Sequence, residues 1–549
     1  MRATRGIGLG AGLLVAAMVT AALIAILYLG WTVIGLPFAP FDVFDWLTRV
    51  LPGQVIAFGI HTMVAVIREL HLGPTATTAK AAEQAMGIIG LLVTAVVAGT
   101  ILYGVIRAFR GRYAIGLGLA FGLALGIPLT LISQHVGRTA TTPPAANMLW
   151  HVAIFLTWGL VLGRTWRRLI PAAGTTTISR QEGGEAIASV EGIDRRRFLV
   201  RLGSSTAAIT VVGAVVGELA EAKHRRMMLA ARSGELWSLT HPLPNADAAV
   251  KPVPGTRPEF TPLERHYRID INTIPPAINE QRWRLNITGL VEQPLALTLD
   301  ELRRYEPLSQ FITLACISNP VGGDLTGTTR WTGVSLQRLL PTLRLKPGAS
   351  HLKIHAADGF FEVIPIETIK ANERVMLAYE WDGVPLTTEH GFPLRIYIPD
   401  VYGMKQPKWI TAIEVIDHWE PGYWAVRGWD KVAQMKATSV IDAVGMDMNI
   451  VQAGQRKLIV PIGGIAHAGA RGISKVELQV DDGPWQPAML RPPLSALTWV
   501  VWRYDWPFQH GNHTFTVRCY DGQGTPQIVT QAPPEPSGAT GLYAKAQMF

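Results

Sequence analysis

One cysteine occupies a position where a reactive or metal-binding side chain is plausible. Cys316 is one of only two cysteines in 549 residues, and it follows the apolar run 311–315. Such a run predicts a buried strand, and the Asn, Pro, Gly and Thr residues after it predict a loop at the mouth of a site. The thiol could act as a nucleophile, bind a soft metal, or fill the core.

Composition narrows the classes of function. The other cysteine, Cys519, lies in the alternating stretch HTFTVRCYDGQG and is predicted to be a core residue. Two cysteines cannot form a disulfide framework, and the sequence has no CxxC or CxxCH motif. The formal net charge is +9, but the arginines cluster beside apolar runs. This pattern indicates membrane topology and excludes a nucleic-acid partner.

The first third of the chain is strongly apolar. Residues 6–41 carry no charge, and a spanning helix needs only about 20 apolar residues. We therefore predict five transmembrane helices within residues 1–217, on the apolar runs 6–41, 85–106, 113–135, 145–163 and 202–217.

The arginine clusters predict the orientation of these helices. If segment 53–70 is an amphipathic helix on the outer face, all the arginine clusters share the inner side. Everything after residue 217 then lies outside. The sequence thus predicts a multi-pass protein of the cell membrane with an extracytoplasmic soluble part. The clusters are Arg2 and Arg5; Arg107, Arg110 and Arg112; Arg164, Arg167 and Arg168; and Arg195, Arg196 and Arg197.

Two features of the membrane region allow a functional interpretation. His135 and His151 lie near the outer ends of adjacent spans, where they could bind haem as a pair; interfacial histidines are the favoured interpretation, so haem is not expected. The stretch RRRFL at 195–199 resembles a twin-arginine export signal, which would carry a folded domain across the membrane. The alternative is a positively charged membrane anchor.

The rest of the chain changes pattern four times. Residues 218–262 predict a short helix and a proline-rich linker. Residues 263–430 mix short strands with helical segments and predict an α+β domain. Residues 431–530 alternate in short strands with a hairpin signal at Asp482-Gly483, which predicts a β-sandwich. The tail 531–549 is rich in Pro, Gly and Ser and is predicted to be loosely ordered.

Several motifs in order carry a resemblance. Residues 262–530 resemble the sulfite-oxidase family of molybdopterin enzymes through TLACISNPVGGDLTGTTRWTGVSL, VMLAYEWDGVPLTTEHGFPLRIYIPDVYG and MKQPKWITAIEV. The stretch GIAHAGARGISKVELQVDDGPWQPA resembles that family's Ig-like C-terminal domain. Fusion to five spans resembles a bacterial membrane-anchored branch.

The resemblance implies a molybdenum–molybdopterin cofactor. Cys316 matches the family's molybdenum ligand, a role that suits a soft thiolate. The pyranopterin carries a phosphate and many ring donors and acceptors, so it needs cationic and forked partners. The matching positions are Arg268, Asp358, His390, Arg395, Gln406 and Lys408.

Two departures from the family affect the substrate. Sulfite-oxidising members place a tyrosine by the metal, whereas YWAVRGW (423–429) puts Val426 there and Tyr423 a few residues early. The family's Arg-Asn-His is also absent, because Arg268 is followed by Ile269 and Asp270. Sulfite is therefore disfavoured as the substrate.

These observations predict a membrane-anchored molybdopterin oxidoreductase that transfers an oxygen atom on the outer face. It would reduce an S- or N-oxide or oxidise a sulfur oxyanion. The expected partners are the bilayer and a small oxo donor or acceptor. The spans could also dock a membrane redox protein or meet quinone, or they could serve only as an anchor, which is the favoured interpretation. The alternative is a metal-free binding or assembly module that retains the fold.

Overall fold

The computed structural model describes residues 9–136, 142–169, 190–230, 235–446, 448–452 and 455–549. The chain divides into two compact units. We call them the helical unit (Met1–Leu51, Lys80–Ala231 and Asn272–Ala277) and the β-rich unit (Pro52–Ala79, Arg232–Ile271 and Ile278–Phe549).

Long apolar helices make up most of the helical unit. Among the described residues, five helices (α1 and α4–α7) are long and apolar enough to cross a membrane. They coincide with the five predicted runs. The bounds are α1 Leu9–Ile34, α2 Ala39–Val50, α4 Thr75–Ala108, α5 Ala114–Val136, α6 Pro144–Leu169 and α7 Val190–Ala230.

The charge-free run 6–41 does not form one helix. Helix α1 ends at Ile34, and Gly35 follows with a φ of 75°. That left-handed conformation ends an α-helix, and Pro40 then opens the separate helix α2. The first predicted span therefore uses only part of the charge-free run.

Glycines bring helices α5 and α6 close together. A Cβ atom on Gly118 would lie 2.2 Å from the Gly159 carbonyl oxygen, and one on Gly122 would lie 2.4 Å from the Phe155 oxygen. Small residues spaced in this way let helix backbones approach. On these helices His151 is buried whereas His135 is exposed, so the two histidines lie in different environments.

Helix α7 joins two segments predicted to be separate. It runs unbroken through the predicted fifth span and the short helix after it. Its first turns contain the RRRFL stretch, but the side chains of Arg195 and Arg196 lie outside the described residues, as do Arg2, Arg5 and the loop 170–189.

Two sheets form the α+β part of the β-rich unit, as predicted. Their strand orders are β2-β1-β10-β5-β6 and β3-β4-β7-β8, with β9 paired to β7. The strands are β1 Leu285–Gly289, β2 Leu295–Leu297, β3 Pro307–Ala315, β4 Thr326–Ser335, β5 His351–Ala356, β6 Phe361–Pro365, β7 Met376–Trp381, β8 Val384–Pro385, β9 Arg395–Tyr397 and β10 Ile410–Ile416. The helices are α3 Gly53–Glu69, α8 Trp237–Thr240, α9 Leu299–Arg303, α10 Leu336–Leu343 and α11 Ile366–Ala371.

Two antiparallel sheets with a shared core follow. One has the order β11-β13-β17-β16 with β12 paired to β13, and the other has the order β15-β14-β18-β19. Val460, Trp502, Leu478, Phe515 and Cys519 are buried between them, so the prediction that Cys519 is a core residue is confirmed. The strands are β11 Thr438–Val444, β12 Met448–Gln452, β13 Gln455–His467, β14 Ile473–Val480, β15 Gln486–Pro487, β16 Met489–Leu490, β17 Val500–Pro507, β18 Asn512–Asp521 and β19 Tyr543–Met548.

The predicted tail 531–549 is part of this fold, so the prediction of a loosely ordered end was wrong. Strand β19 pairs along β18 from Asn512↔Met548 to Val517↔Tyr543. The Phe549 ring lies 5.5 Å from the Trp506 ring. Backbone pairing and aromatic packing therefore fix a segment whose composition is typical of loops.

Candidate functional site

Strands β3 and β4 position Cys316. They pair antiparallel up to Ala315↔Thr326, and Cys316 is the next residue after β3. Its backbone N–H donates to the Leu325 carbonyl oxygen at 3.0 Å, and the Asn319 side-chain oxygen accepts from the Leu325 N–H at 3.0 Å. These bonds close the loop 316–325, which we call the Cys316 loop.

The Cys316 thiol is almost completely buried. Its residue is 8% exposed, and its sulfur lies 2.9 Å from the Ser318 hydroxyl oxygen. Burial raises the pKa of this thiol, so the protein by itself favours the protonated form. A bound metal ion would reverse that preference, because metal ligation requires the thiolate. The thiol packs with Ala76, Leu325 and Tyr267.

Two of the predicted cations share one carboxylate. Arg268 Nε donates to Asp270 Oδ2 at 2.8 Å, and Lys408 Nζ donates to the same oxygen at 3.0 Å. Lys408 Nζ also donates to the Glu389 carbonyl oxygen at 3.0 Å. Burial lowers the pKa of Lys408 to about 8 even though Asp270 opposes the shift. Two cations therefore share the Asp270 carboxylate in a region with little water.

A second group of residues surrounds Arg395. Its guanidinium lies 4.7 Å from the centre of the Trp331 ring, and its Nη1 donates to the His390 carbonyl oxygen at 3.1 Å. His390 Nε2 lies 3.3 Å from the His266 carbonyl oxygen. Burial lowers the pKa of His390 well below its usual range and that of His266 to about 3. Both imidazoles are therefore neutral, and Arg395 supplies the charge.

Tyr267 connects this group to the metal-ligand candidate. Burial and, to a smaller extent, Cys316 raise the pKa of its hydroxyl well above the usual range, while Arg395 lowers it. Tyr267 thus lies close enough to interact with both the thiol and the guanidinium. The structure brings Arg268, His390, Arg395 and Lys408 together, with Cys316 beyond Tyr267.

The other two predicted residues are each held by hydrogen bonds within their own segment. Asp358 lies in the turn between β5 and β6, and its Oδ1 accepts from the Phe360 N–H at 3.0 Å. Gln406 Nε2 donates to the Ile398 and Val401 carbonyl oxygens at 3.3 and 3.0 Å. Their assignment to the cofactor stays a prediction.

Sequence reasoning missed several buried groups of this region. His266, Tyr267 and Asp270 flank Arg268, and their place within HYRID was the available signal. Lys405 and Glu362 form a buried ion pair of 2.9 Å. No sequence pattern indicated this pair, because its members lie 43 residues apart in different motifs.

The residues present suit an anionic cofactor with many polar atoms. Among the described residues, no carboxylate lies within ion-pair distance of Arg395. Four buried polar atoms in or beside the matching motifs have no hydrogen-bond partner among the described residues; they are His266 Nε2, Gln406 Oε1, Trp331 Nε1 and Trp381 Nε1. A phosphate and a hydrogen-bonding ring system would satisfy such groups.

Cys316 would have to share a metal with ligands from elsewhere. Across the ranges that the structure describes, no group of three or more His, Cys, Asp or Glu side chains is arranged to hold a metal ion. A metal on Cys316 would therefore take its remaining ligands from a cofactor, as the dithiolene sulfurs of a pterin provide.

The loop 423–429 contains Val426, which the sequence predicts to stand where sulfite-oxidising members have a tyrosine. Val426 is 62% exposed. Tyr423 is buried, with its ring 5.4 Å from the Phe360 ring and the Arg427 guanidinium 3.7 Å from its own ring centre. The Tyr423 ring thus packs with the cluster at the β5–β6 turn, and it does not belong to the cluster around Cys316.

A cavity of about 50 Å³ adjoins the Cys316 loop. Asn319 and Val321 line it from the loop, and Trp499 and His467 line it from the two-sheet domain. Arg257 also lines it, but that guanidinium is already paired with Asp442 at 2.7 Å. The cavity is thus less cationic than its composition suggests.

Comparisons with known proteins match this region. A family model described as the oxidoreductase molybdopterin binding domain matches residues 272–424. The uncharacterized oxidoreductase YuiH of Bacillus subtilis is 30% identical over 152 residues, which are 27% of this chain and 72% of that protein. Mouse mitochondrial sulfite oxidase is 28% identical over 279 residues, which are 42% of this chain and 50% of the mouse protein.

Other relatives give similar coverage. The sulfite oxidase of Arabidopsis thaliana is 26% identical over 271 residues, which are 41% of this chain and 68% of the plant protein. Among solved structures, the sulfane dehydrogenase SoxCD of Paracoccus pantotrophus has a TM-score of 0.45 and 18% identity, over 58% of this chain and 89% of its own.

Proposed function

This chain belongs to the sulfite-oxidase family of molybdopterin-dependent oxidoreductases, and we propose that it is a membrane-anchored enzyme catalysing two-electron oxygen-atom transfer. The matched region is only about half the length of mouse sulfite oxidase, so the reaction of the whole protein is argued from its own residues. The observation that carries the proposal is the buried thiol of Cys316 next to a buried, cation-rich cluster.

Each part of the site has a physical role in this proposal. Molybdopterin, when bound, supplies the metal that exchanges an oxygen atom and two electrons with the substrate. Cys316 would ligate that metal as a thiolate. Arg268, Arg395 and Lys408 would bind the cofactor's phosphate and ring oxygens, and the neutral His390 would donate or accept a hydrogen bond. Asp358 and Gln406 complete the proposed binding set.

The protein's main contribution would be to hold the binding groups in place and to exclude water from the site. Asp270 holds two of the cations at 2.8 and 3.0 Å before the cofactor arrives, so they need little reorganisation. Burial of Cys316 excludes water from the metal-binding sulfur. The sequence and the geometry single out no acid–base residue, so we assign none.

The surroundings of the site favour an S- or N-oxide over a sulfite dianion. Val426 stands where sulfite-oxidising relatives have a tyrosine, and Asp442 already neutralises Arg257 in the cavity beside the Cys316 loop. A doubly charged ion would lose hydration there, and of the lysine and arginine side chains that line the cavity only Lys436 has no ion pair among the described residues. Oxidation of a sulfur oxyanion remains the second form of the reaction.

The location and partners belong to the same proposal. The five apolar helices would anchor the chain in the cell membrane, and the positive-inside rule would put the β-rich unit outside. RRRFL would serve as an export signal, and the two-sheet domain would be the family's Ig-like domain. A membrane redox protein or quinone would exchange electrons with the site.

Metal analysis of the purified full-length protein tests the cofactor. We expect near one molybdenum atom per chain, and reduction of a sulfoxide when a reducing dye is supplied. A folded wild-type chain without molybdenum would contradict the proposal and would favour a metal-free binding module.

Cys316→Ser tests the ligand. It should remove the thiolate–molybdenum absorption band and lower kcat by orders of magnitude, because an alcohol is a poor soft-metal ligand. Cys519→Ser is the matched control, since Cys519 is also buried but lies in the core of the two-sheet domain. Full activity of Cys316→Ser would show that the ligand assignment is wrong.

A further inference from the structure

Helix α3 belongs to the β-rich unit and packs along one face against the loop 423–429. A Cβ atom on Gly53 would lie 2.6 Å from the Arg427 carbonyl oxygen, so the helix begins in direct contact with the loop 423–429. The His61 ring lies 6.5 Å from the Trp429 ring, and its Nδ1 lies 3.6 Å from a Glu535 carboxylate oxygen. Ala57 and Ile67 of the same helix are buried.

The opposite face of α3 is apolar and exposed. Phe58 is 72% exposed, and Val55 and Val66 are exposed with helical spacing on the same side. We call these three residues and Leu70, which is also exposed, the apolar rim. Groups of large apolar side chains on a surface mark sites of protein or membrane contact.

The apolar rim adjoins the metal-ligand candidate. Trp424 and Trp429, in the loop that α3 covers, pack with Ala315 and Ile317, the two sequence neighbours of Cys316. Ala76, at the start of α4, packs with Cys316 itself. The segment from α3 to the first turn of α4 therefore covers the same side of the site as the loop.

We propose that the apolar rim inserts into the interfacial layer of a lipid bilayer, so that the site takes oxides which partition into that membrane. This inference rests on the proposed function. The apolar helices of this chain would bring α3 to a bilayer. In sequence α3 lies between the apolar helices α1 and α4, and only residues 70–74 separate it from α4. An amphipathic helix next to spanning helices is suited to the interface.

The charges of α3 agree with lipid as the occupant. Arg68 and Glu69 lie together in its last turn, and the exposed face before them has no acidic or basic side chain. A partner protein that recognised this face through ion pairs would find few partners there. Lipid needs only the apolar side chains.

A rim inserted in lipid would also determine which oxides reach the site. A long-chain sulfoxide has one polar oxygen and an alkyl chain that gains free energy in lipid, whereas a dianion would be excluded. In the reaction the S=O bond breaks, and a sulfide and one water form. Two electrons and two protons are consumed; two equivalents of reduced viologen dye can supply the electrons.

Kinetics in nanodiscs test the inference. The full-length, cofactor-loaded protein would be assayed with dimethyl sulfoxide and with dodecyl methyl sulfoxide. Phe58→Glu should raise the KM for the long-chain substrate about tenfold and leave kcat and the KM for dimethyl sulfoxide unchanged. Leu239→Glu is the matched control, because Leu239 is 75% exposed outside the apolar rim. Equal KM changes for both substrates, or none, would overturn the inference.

A depth measurement tests docking without any turnover. A spin label on Phe58→Cys in nanodiscs should be more accessible to oxygen, which dissolves in lipid, than to a water-soluble nickel complex. A label on Leu239→Cys should show the reverse. A label at position 58 that the nickel complex reaches freely, or that neither reagent reaches because a protein covers it, would overturn the inference. This result is independent of molybdenum content, so it separates failure of docking from failure of the proposed function.

Discussion

Asp270 organises the charges of the proposed cofactor site. Its carboxylate is buried and binds Arg268 and Lys408 together, while Arg395 stands nearby without a carboxylate of its own among the described residues. Burying unbalanced charge lowers stability, and a bound anion relieves that penalty. The site therefore favours the cofactor-loaded state, and the cofactor-free protein should show the strain.

The strain at Lys408 should be measurable as a change of the unfolding free energy with pH. Burial lowers its pKa to about 8 in the folded protein, against about 10.4 when unfolded. Between these values the unfolded chain binds the extra proton, so stability should rise with pH over this window. We expect the unfolding free energy of the cofactor-free protein, relative to Lys408→Met, to rise by about 3 kcal/mol between pH 7 and 10.5. Thermal unfolding in detergent measures it.

A surface lysine provides the comparison. Lys346 is exposed, so Lys346→Met removes one lysine side chain without disturbing the group around Asp270. A difference between wild type and Lys408→Met that does not change with pH would show that Lys408 titrates as a solvated group. In that case the assignment of Lys408 to the buried cofactor site would be wrong.

At the scale of elements, periodicity predicted β3, its loop and the five apolar helices. It could not predict where α3 packs, because that helix is apolar on two faces and the pattern is the same for contact with protein or lipid. Asp270 was visible only as a departure from the family's motif. Its pairing with Lys408, 138 residues away, depends on tertiary structure, which local patterns do not encode.

The β3–β4–β7 arrangement gives a test of how an element positions the site. Strand β4 lies between β3 and β7, and a Cβ atom on Gly333 would lie 2.1 Å from the Leu377 carbonyl oxygen of β7. Gly333→Ala should push β4 away from β7 and lower stability by about 3 kcal/mol. Because β4 holds the strand that ends at Cys316, molybdenum content should fall as well, as elemental analysis would show.

Gly59→Ala is the control for that substitution. No described atom lies within 4 Å of the Cβ that it would add on α3, and alanine is favoured over glycine in a helix by up to about 1 kcal/mol. The variant should therefore unfold at or above the wild-type temperature. Equal stability of Gly333→Ala and wild type would mean that β4 and β7 can separate without disturbing the site.

For the whole molecule, the C-terminal segment shows why composition misleads. Its Pro, Gly and Ser residues have loop propensities, yet several of its contacts are with residues far away in sequence. The Ser537 hydroxyl donates to Asp430 at 2.7 Å, and β19 completes a sheet. The end of the chain thus contacts both the two-sheet domain, through β19, and the segment at Asp430.

Gly538 tests this long-range connection. It has a φ of 94°, and a Cβ atom there would lie 2.6 Å from the Tyr402 hydroxyl oxygen. Tyr402 lines the cavity beside the Cys316 loop and accepts a hydrogen bond from the Lys436 N–H at 3.1 Å. Gly538→Ala should therefore combine backbone strain of about 1 kcal/mol with a clash of about 2 kcal/mol, and should change the KM for the oxide.

Gly524→Ala separates the backbone strain from the clash with Tyr402. Gly524 has a similar φ of 83°, but no described atom lies within 4 Å of an added Cβ. This variant should show only the backbone strain, with an unchanged KM. Thermal unfolding and sulfoxide kinetics on both variants give the comparison. Thermal unfolding and KM together decide between two outcomes.

If the two variants lose equal stability and keep equal KM values, an alanine at position 538 does not clash with Tyr402, and the end of the chain has no influence on the site. If only Gly538→Ala changes KM, a segment more than 200 residues from Cys316 in sequence affects the cavity beside the Cys316 loop.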